Sequence, residues 1–194
     1  MKILIQNGRV IDPASGLDQI CDIALAAGRI VGVNRVPPDF APHRSIDASG
    51  CLVLPGLVDL AARLREPGHE HEGMLESEMA AAVAGGVTSL VCPPDTDPVL
   101  DEPGLVDMLR LRAQSFHATH LYPLGALTRA LAGAQLAELS KLAQAGCIAF
   151  SQADCAIADT QVLMRAMQYA ATFGYAVWLQ PEDLHLARNG VAHE

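Results

Sequence analysis

The chain has 194 residues, of which 51% are apolar and 18% are charged, and its formal net charge is −9. This apolar content argues against intrinsic disorder. The net charge is negative, and the sequence lacks the basic patch of a nucleic-acid-binding protein. It also lacks the run of about 20 apolar residues that would predict a membrane span. The composition therefore predicts a folded protein of one or two domains, with neither nucleic acid nor membrane as a partner.

The number and spacing of the cysteines indicate the cellular compartment. Their number is odd, they are widely spaced, and no CxxC pair occurs, so neither a disulfide framework nor a zinc ribbon is indicated. Reduced thiols are typical of the cytoplasm, and the first ten residues do not resemble a signal peptide. We therefore expect a cytoplasmic chain. The five cysteines are Cys21, Cys51, Cys92, Cys147 and Cys155.

Residues 1–55 are predicted to form a small all-β module. Short alternating segments at 2–6, 21–25, 29–33 and 51–54 read as strands separated by turns. Asn7-Gly8 is predicted to be a hairpin turn, because this dipeptide favours the positive φ angles of such turns.

From residue 56 onward, strands and helices alternate. Strands in β/α order imply a parallel sheet with right-handed crossovers, either doubly wound or closed into a barrel. The sequence contains neither a GxGxxG run after a strand nor a GxxxxGK[ST] loop, so phosphate-binding loops are not indicated. Strands are predicted at 57–61, 87–92, 119–124, 147–150 and 175–179, and helices at 74–84, 104–113, 135–145 and 160–172.

Several motifs resemble a known superfamily. The segment 47–59, D-A-S-G-C-L-V-L-P-G-L-V-D, resembles the amidohydrolases, in which a β-sandwich strand leads into the first barrel strand. L-R-E-P-G at 64–68, A-G-G-V-T at 84–88, P-P-D-T at 93–96 and L-Q-P-E-D at 179–183 look like dihydroorotase. The resemblance implies an α/β fold: a β-sandwich part (1–55) followed by the first half of a (β/α)8 TIM barrel (56–194). The chain would then end about half way round a barrel that needs about 250 residues.

The resemblance implies zinc chemistry, yet the implied ligand positions carry other residues. An H-x-H pair at the end of the first barrel strand corresponds to Ala61 and Arg63. Two carboxylates after the fourth strand correspond to Gln152 and Ala153, with Asp154 one residue further on, so a shift of one residue would restore an acid. A histidine after the fifth strand corresponds to Gln180. A methyl group cannot bind zinc, and a permanent cation repels it. We therefore expect no catalytic residues, no metal and no cofactor.

The substrate pocket implied by the resemblance is altered as well. An arginine and an asparagine that would hold the substrate carboxylate correspond to Arg65 and Asp95. Because Asp95 would repel an anion, we predict that Arg65 and Asp95 pair with each other and form only a relic of a pocket.

The chain looks similar to the non-catalytic dihydroorotase-like chains that several bacteria combine with aspartate transcarbamoylase in pyrimidine biosynthesis. The resemblance therefore implies an inactive homologue that supports assembly, with the transcarbamoylase catalytic chain as its partner. We also expect self-association, because half a barrel leaves its first and fifth strands as sheet edges.

Two alternatives remain open. His69-Glu70-His71 is an H-x-H run, and with Asp154 it would give an active cyclic amidohydrolase with a displaced metal site. We favour a solvated loop for this run, which lies eight residues beyond the position that the resemblance implies. A non-enzymatic barrel that binds a small anionic effector at Arg65 is the other alternative.

Overall fold

A computed structural model of the chain describes residues 1–116 and 118–183. The chain divides into two compact units, Met1–Gly56 and Leu57–Glu194. Among the described residues, no helix is both long enough and apolar enough to cross a membrane.

The first unit is a five-stranded sheet. Strand β1 is central: it pairs antiparallel with β2 and parallel with β4 and β5, and β3 pairs antiparallel with β2. Val10, Cys21 and Ile23 form its small buried cluster. The described residues of this unit thus form a single sheet, and the sandwich implied by the resemblance stays a prediction. The strands are β1 (Lys2–Asp12), β2 (Leu17–Ala26), β3 (Arg29–Val33), β4 (Arg44–Asp47) and β5 (Leu52–Val53).

The predicted hairpin turn at Asn7-Gly8 is wrong. Strand β1 continues through both residues, and its register with β2 shifts between Ile5 and Gly8. Asn7 has a φ of 62°, so the dipeptide supplies the positive φ of a bulge instead of a turn. A Cβ on Gly8 would lie 2.5 Å from Val53 Cγ2, so close packing explains the glycine.

The second unit alternates strands and helices, as predicted. All its strands are parallel, in the spatial order β10-β9-β8-β7-β6. The elements are β6 (Leu57–Asp59), α1 (Leu75–Ala84), β7 (Val87–Cys92), α2 (Pro103–Ser115), β8 (His120–Ala126), α3 (Leu139–Ala145), β9 (Ala149–Ser151), α4 (Thr160–Phe173) and β10 (Val177–Trp178). A 3-10 turn, Arg129–Leu131, follows β8.

All four helices pack on the same face of this sheet. One buried cluster joins residues of every helix, among them Leu75, Leu109, Leu142 and Ala166, to strand residues such as Phe150. A separate cluster on the strands consists of Val91, Leu124 and Ala149, with Trp178 against it. Because successive strand residues point to opposite faces, the second cluster lies on the face without helices. A doubly wound sheet carries helices on both faces, so this arrangement favours a barrel.

Helix α3 begins at Leu139, four residues later than predicted. The segment before it folds back on the end of β8: Ala137 N donates to Leu127 O at 3.0 Å, and Thr128 and Leu136 form an isolated bridge. These contacts hold residues 136 and 137 against the end of β8, and Gln135 O, which would accept a bond within a longer helix, accepts from Arg129 N at 2.9 Å instead. Helix α4 agrees closely with its prediction because local signals bound it: Asp159 accepts from Gln161 N at 2.8 Å, and Gly174 ends the helix with a φ of 69°.

Candidate functional site

Three charged side chains meet above the carboxyl ends of the parallel strands. Arg63 lies four residues after β6, while Asp95 and Asp154 each lie three residues after the end of β7 and β9. Parallel strands place their carboxyl ends at one edge of the sheet, so residues distant in sequence are brought together there. This edge is where enzymes of barrel architecture place their reactive groups.

Arg63 holds both carboxylates. Its Nε donates to Asp95 Oδ2 at 2.7 Å, and its Nη2 donates to Asp154 Oδ2 at 2.6 Å. The hydrogen bond to Asp95 is the largest cause that raises the pKa of Arg63, and the bond to Asp154 acts in the same direction. The guanidinium is therefore a fixed cation that joins the loops after β6, β7 and β9.

The predicted pair of Arg65 and Asp95 is wrong. Arg63 forms the ion pair with Asp95, while Arg65 Nη1 lies 3.2 Å from Glu72 Oε2 on its own loop. The prediction extended the first strand to residue 61, but β6 ends at Asp59 and Arg65 has a φ of 64°. Both arginines therefore lie on the loop after β6, where Arg65 has a left-handed backbone conformation and pairs with Glu72 of the same loop.

The side chain of Gln152 belongs to a buried hydrogen-bond network. It is 1% exposed; its Oε1 accepts from Thr128 Oγ1 at 2.9 Å, and its Nε2 donates to Leu131 O at 2.8 Å. Thr128 Oγ1 accepts in turn from Gly133 N. Gln152 thus fixes the loop after β8. Sequence reasoning missed this role because its partners are 21 and 24 residues away.

Ala61 and Gln180 line a depression of about 320 Å³ at the same edge, together with Arg63 and Asp154. This depression is where the resemblance places zinc. A methyl group, a neutral amide and an ion-paired guanidinium face it, and the carboxylate of Asp154 is already bound to Arg63. The residues present do not fit a zinc ion, which requires several imidazole or carboxylate ligands at bonding distance.

One of the thiols at this edge is buried. Cys92, the last residue of β7, is buried, and burial together with the negative charge of Asp95 raises the pKa of its thiol to about 12. A thiolate is the nucleophilic form of cysteine, so Cys92 is a packing residue.

Glu66 is a structural residue that sequence reasoning did not single out. It is 6% exposed, its Oε2 accepts from Leu75 N at 2.9 Å, and its Oε1 forms an ion pair with Arg112. One carboxylate thus caps the first turn of α1 and ties it to α2. The sequence offered a weak signal, an acidic residue shortly before a helix, but not its cationic partner.

The loop after Glu66 brings His69, His71 and Glu72 together. One potential ligand atom from each lies within 4.8 Å of the others. Asp154, which was grouped with these histidines in the displaced-site hypothesis, is bound to Arg63 instead. Glu72 is therefore the carboxylate that accompanies the H-x-H run.

Comparison with known proteins identifies the family. The sequence model described as "Dihydro-orotase-like" matches residues 50–194. A "Dihydroorotase-like protein" of Pseudomonas aeruginosa is 46% identical over 194 residues, and the match covers 100% of this chain and 46% of that protein. A "Dihydroorotase" of Syntrophotalea carbinolica is 42% identical over 195 residues, and the match covers 100% of this chain and 45% of that protein. The chain spans about half the length of the curated relatives it matches.

Solved structures agree on the fold. The L-hydantoinase (dihydropyrimidinase) of Arthrobacter aurescens superposes with a TM-score of 0.77 at 21% identity, over 96% of this chain and 42% of that one. A D-hydantoinase superposes with a TM-score of 0.69 at 20% identity, over 94% of this chain and 40% of that one. Fold, motifs and family match lead to one conclusion: the chain belongs to the dihydro-orotase-like family of the amidohydrolases.

Proposed function

We propose that this chain is a catalytically inactive dihydroorotase homologue that serves as an assembly subunit for aspartate transcarbamoylase in the cytoplasm. The observation that supports inactivity is the position of Arg63. Its guanidinium binds Asp95 and Asp154 at the edge where a catalytic metal would be required. A permanent cation there repels a metal ion and occupies the carboxylates that would hold one.

Three further positions agree with this proposal. Ala61 and Gln180 supply no imidazole, and Gln152 turns away into a buried hydrogen-bond network. A single substitution of Arg63 would therefore not restore a metal centre. Meanwhile Glu66 and Gln152 keep the loops at this edge well ordered, which fits a chain whose folded surface serves a purpose other than catalysis.

The partner in this proposal is inferred from the resemblance. Proteins named "Dihydroorotase-like" in two Pseudomonas species match the chain at 46% and 47% identity. We propose the transcarbamoylase catalytic chain as partner because the non-catalytic relatives that this sequence resembles accompany that enzyme.

Self-association is the second part of the proposal. Strand β6 lies at an edge of the sheet, and its Leu57 and Val58 are 53% and 58% exposed. An edge strand with apolar side chains offers unpaired backbone groups to another chain. Light scattering at micromolar protein should give a mass above that of the monomer, and a monodisperse monomer would contradict self-association.

The experiment for the main proposal has two parts. The purified chain is assayed for hydrolysis of dihydroorotate and for cyclisation of carbamoyl aspartate, with zinc added to saturation. It is then mixed with the transcarbamoylase catalytic chain of the same organism and run on size-exclusion chromatography with light scattering. We expect no activity above the blank and a stable complex. Turnover, or no complex at micromolar concentrations, would refute the proposal.

The second candidate function is an active cyclic amidohydrolase with a displaced metal site. The proximity of His69, His71 and Glu72 favours it. Zinc-dependent turnover that is lost in His69→Ala and His71→Ala, but kept in His120→Ala, would establish this function in place of the first.

A further inference from the structure

We propose that His69, His71 and Glu72 form a binding site for one divalent transition-metal ion, with Zn²⁺ as the reference ion. Two imidazoles and one carboxylate each offer a ligand atom, and these atoms lie within 4.8 Å of one another. His71 Nε2 is 3.7 Å from Glu72 Oε1, and the two imidazole centroids are 6.1 Å apart. This metal site is independent of the assembly role, which requires no metal.

The donor set selects the class of ion. Imidazole nitrogen suits Zn²⁺, Ni²⁺, Co²⁺ and Cu²⁺, whereas Mg²⁺ and Ca²⁺ prefer sites made of oxygen atoms alone. Three protein ligands with water in the remaining position are a common zinc arrangement. The site should therefore bind Zn²⁺ and not Mg²⁺.

The geometry needs only side-chain rotation. Zinc bonds of about 2.0–2.1 Å in a tetrahedron bring neighbouring ligand atoms to about 3.3 Å from each other. The observed spread of up to 4.8 Å is larger, but all three side chains are accessible to solvent. Small changes in χ angles can therefore close the gap without moving the backbone.

The backbone of the loop is already fixed. His69 N donates to Arg65 O at 2.7 Å, Glu72 N donates to His69 O at 2.9 Å, and Gly68 N donates to Glu70 Oε1 at 3.0 Å. Gly68 has a φ of 102°, and a Cβ there would overlap Asp97. An ordered loop loses little entropy when it binds a metal, which favours affinity.

Arg65 has two effects on the site. Its Nη1 lies 3.2 Å from Glu72 Oε2, which leaves Oε1 on the side of His71. Such an ion-paired partner orients a ligating carboxylate. Its positive charge also opposes a second cation nearby, so we expect micromolar affinity, weaker than that of a closed structural zinc site.

The test is calorimetric titration of the metal-free chain with zinc chloride, and with magnesium chloride as a reference. We expect one equivalent of zinc to bind with micromolar affinity and no saturable binding of magnesium. His69→Ala and His71→Ala should each weaken zinc binding about tenfold or more, and Glu72→Gln should weaken it less. The matched controls are His120→Ala, an exposed histidine in β8, and Glu76→Gln, an exposed acid in α1, and both should bind zinc as the unaltered chain does.

Proton NMR supplies a second readout on the same samples. The ring resonances of His69 and His71 should shift or broaden as zinc is added, while those of His120 should not. No saturable binding below millimolar zinc, or binding that survives both histidine substitutions, would overturn the proposal. Because binding, and not turnover, is measured, either result leaves transcarbamoylase assembly to its own experiment, whereas a lack of zinc binding would also rule out the displaced-site hydrolase.

Discussion

Arg63 and Asp154 are 91 positions apart in the sequence, yet Arg63 Nη2 donates to Asp154 Oδ2 at 2.6 Å. With the second bond to Asp95, one guanidinium links three of the loops at the carboxyl edge of the parallel sheet. A metal ion held by ligands from several strands would also bind neighbouring loops to one another. In this chain a covalently attached cation performs that structural task.

Arg63→Gln should destabilise the second unit. The substitution leaves Asp95 and Asp154 without their shared cation, and Arg63 is 37% exposed, so solvent screening limits the loss. We expect the free energy of unfolding to fall by about 0.5–1 kcal/mol in urea. A double-mutant cycle with Asp95→Asn should show favourable coupling between the two residues.

Arg63→Lys is the conservative comparison for this position. Lysine keeps the charge but cannot bind both carboxylates with the geometry of a guanidinium. We expect an intermediate stability. If the glutamine and lysine variants unfold at the same urea concentration as the unaltered chain, the ion pairs contribute nothing measurable.

Gln152→Ala should lower the free energy of unfolding by about 2–4 kcal/mol, because it removes the acceptor of the buried Thr128 hydroxyl and the side-chain donor to Leu131 O and opens a cavity. Urea unfolding measures the loss. Gln161→Ala, at an exposed position of α4, is the control and should change stability little.

Gln152→Glu should make stability depend on pH. Only the protonated acid can donate to Leu131 O, so the pKa of the new group should be higher in the folded state than the ordinary value of about 4.3. Relative to the unaltered chain, the variant should be most stable below that value and lose stability as the pH rises through the folded-state pKa. A stability difference that stays constant from about pH 4 to about pH 8 would contradict this role for Gln152.

Glu66→Ala should lower the free energy of unfolding by about 2–3 kcal/mol. The buried carboxylate accepts from the first turn of α1 and pairs with Arg112, and alanine removes both interactions. Glu76→Gln in the first turn of α1 is the control, since its side chain is exposed. Equal urea midpoints for the two variants would show that Glu66 does not stabilise α1.

The folded chain should expose two thiols to a thiol reagent at neutral pH. Cys51 and Cys155 are exposed, whereas Cys21, Cys92 and Cys147 are buried. Burial raises the pKa of Cys92 and Cys147 to about 12, so almost none of either is thiolate near pH 8. Burial, with Asp95 and Asp154, also raises the pKa of Cys155, so it should react slowly. Labelling with and without denaturant, followed by mass spectrometry, gives the count; rapid labelling of Cys92 in the folded chain would contradict the structure.

Much of the fold can be predicted from local sequence. The alternation of apolar strands with helices, the N-cap at Asp159 and the glycine at the end of α4 lie within a few residues of the elements they define. The family is likewise visible in short runs such as residues 47–59 and 64–68. Ala61, Arg63, Gln152 and Gln180 could be identified through the same resemblance as residues unsuited to zinc.

Only the tertiary structure decided how these residues pair. Asn7-Gly8 is compatible with either a turn or a bulge, because each requires a residue with a positive φ. The dipeptide forms a bulge because β1 pairs with β2 on both sides of it. Arg63, not Arg65, takes Asp95, because β6 ends at Asp59 and the loops beyond it converge with those from distant strands. The grouping of Glu72 with His69 and His71, in contrast, lies within a single loop, which local bonds such as Glu72 N to His69 O at 2.9 Å hold in shape. Local propensity is set by near neighbours, but the partner of a charge is set by which loops meet at the end of a parallel sheet.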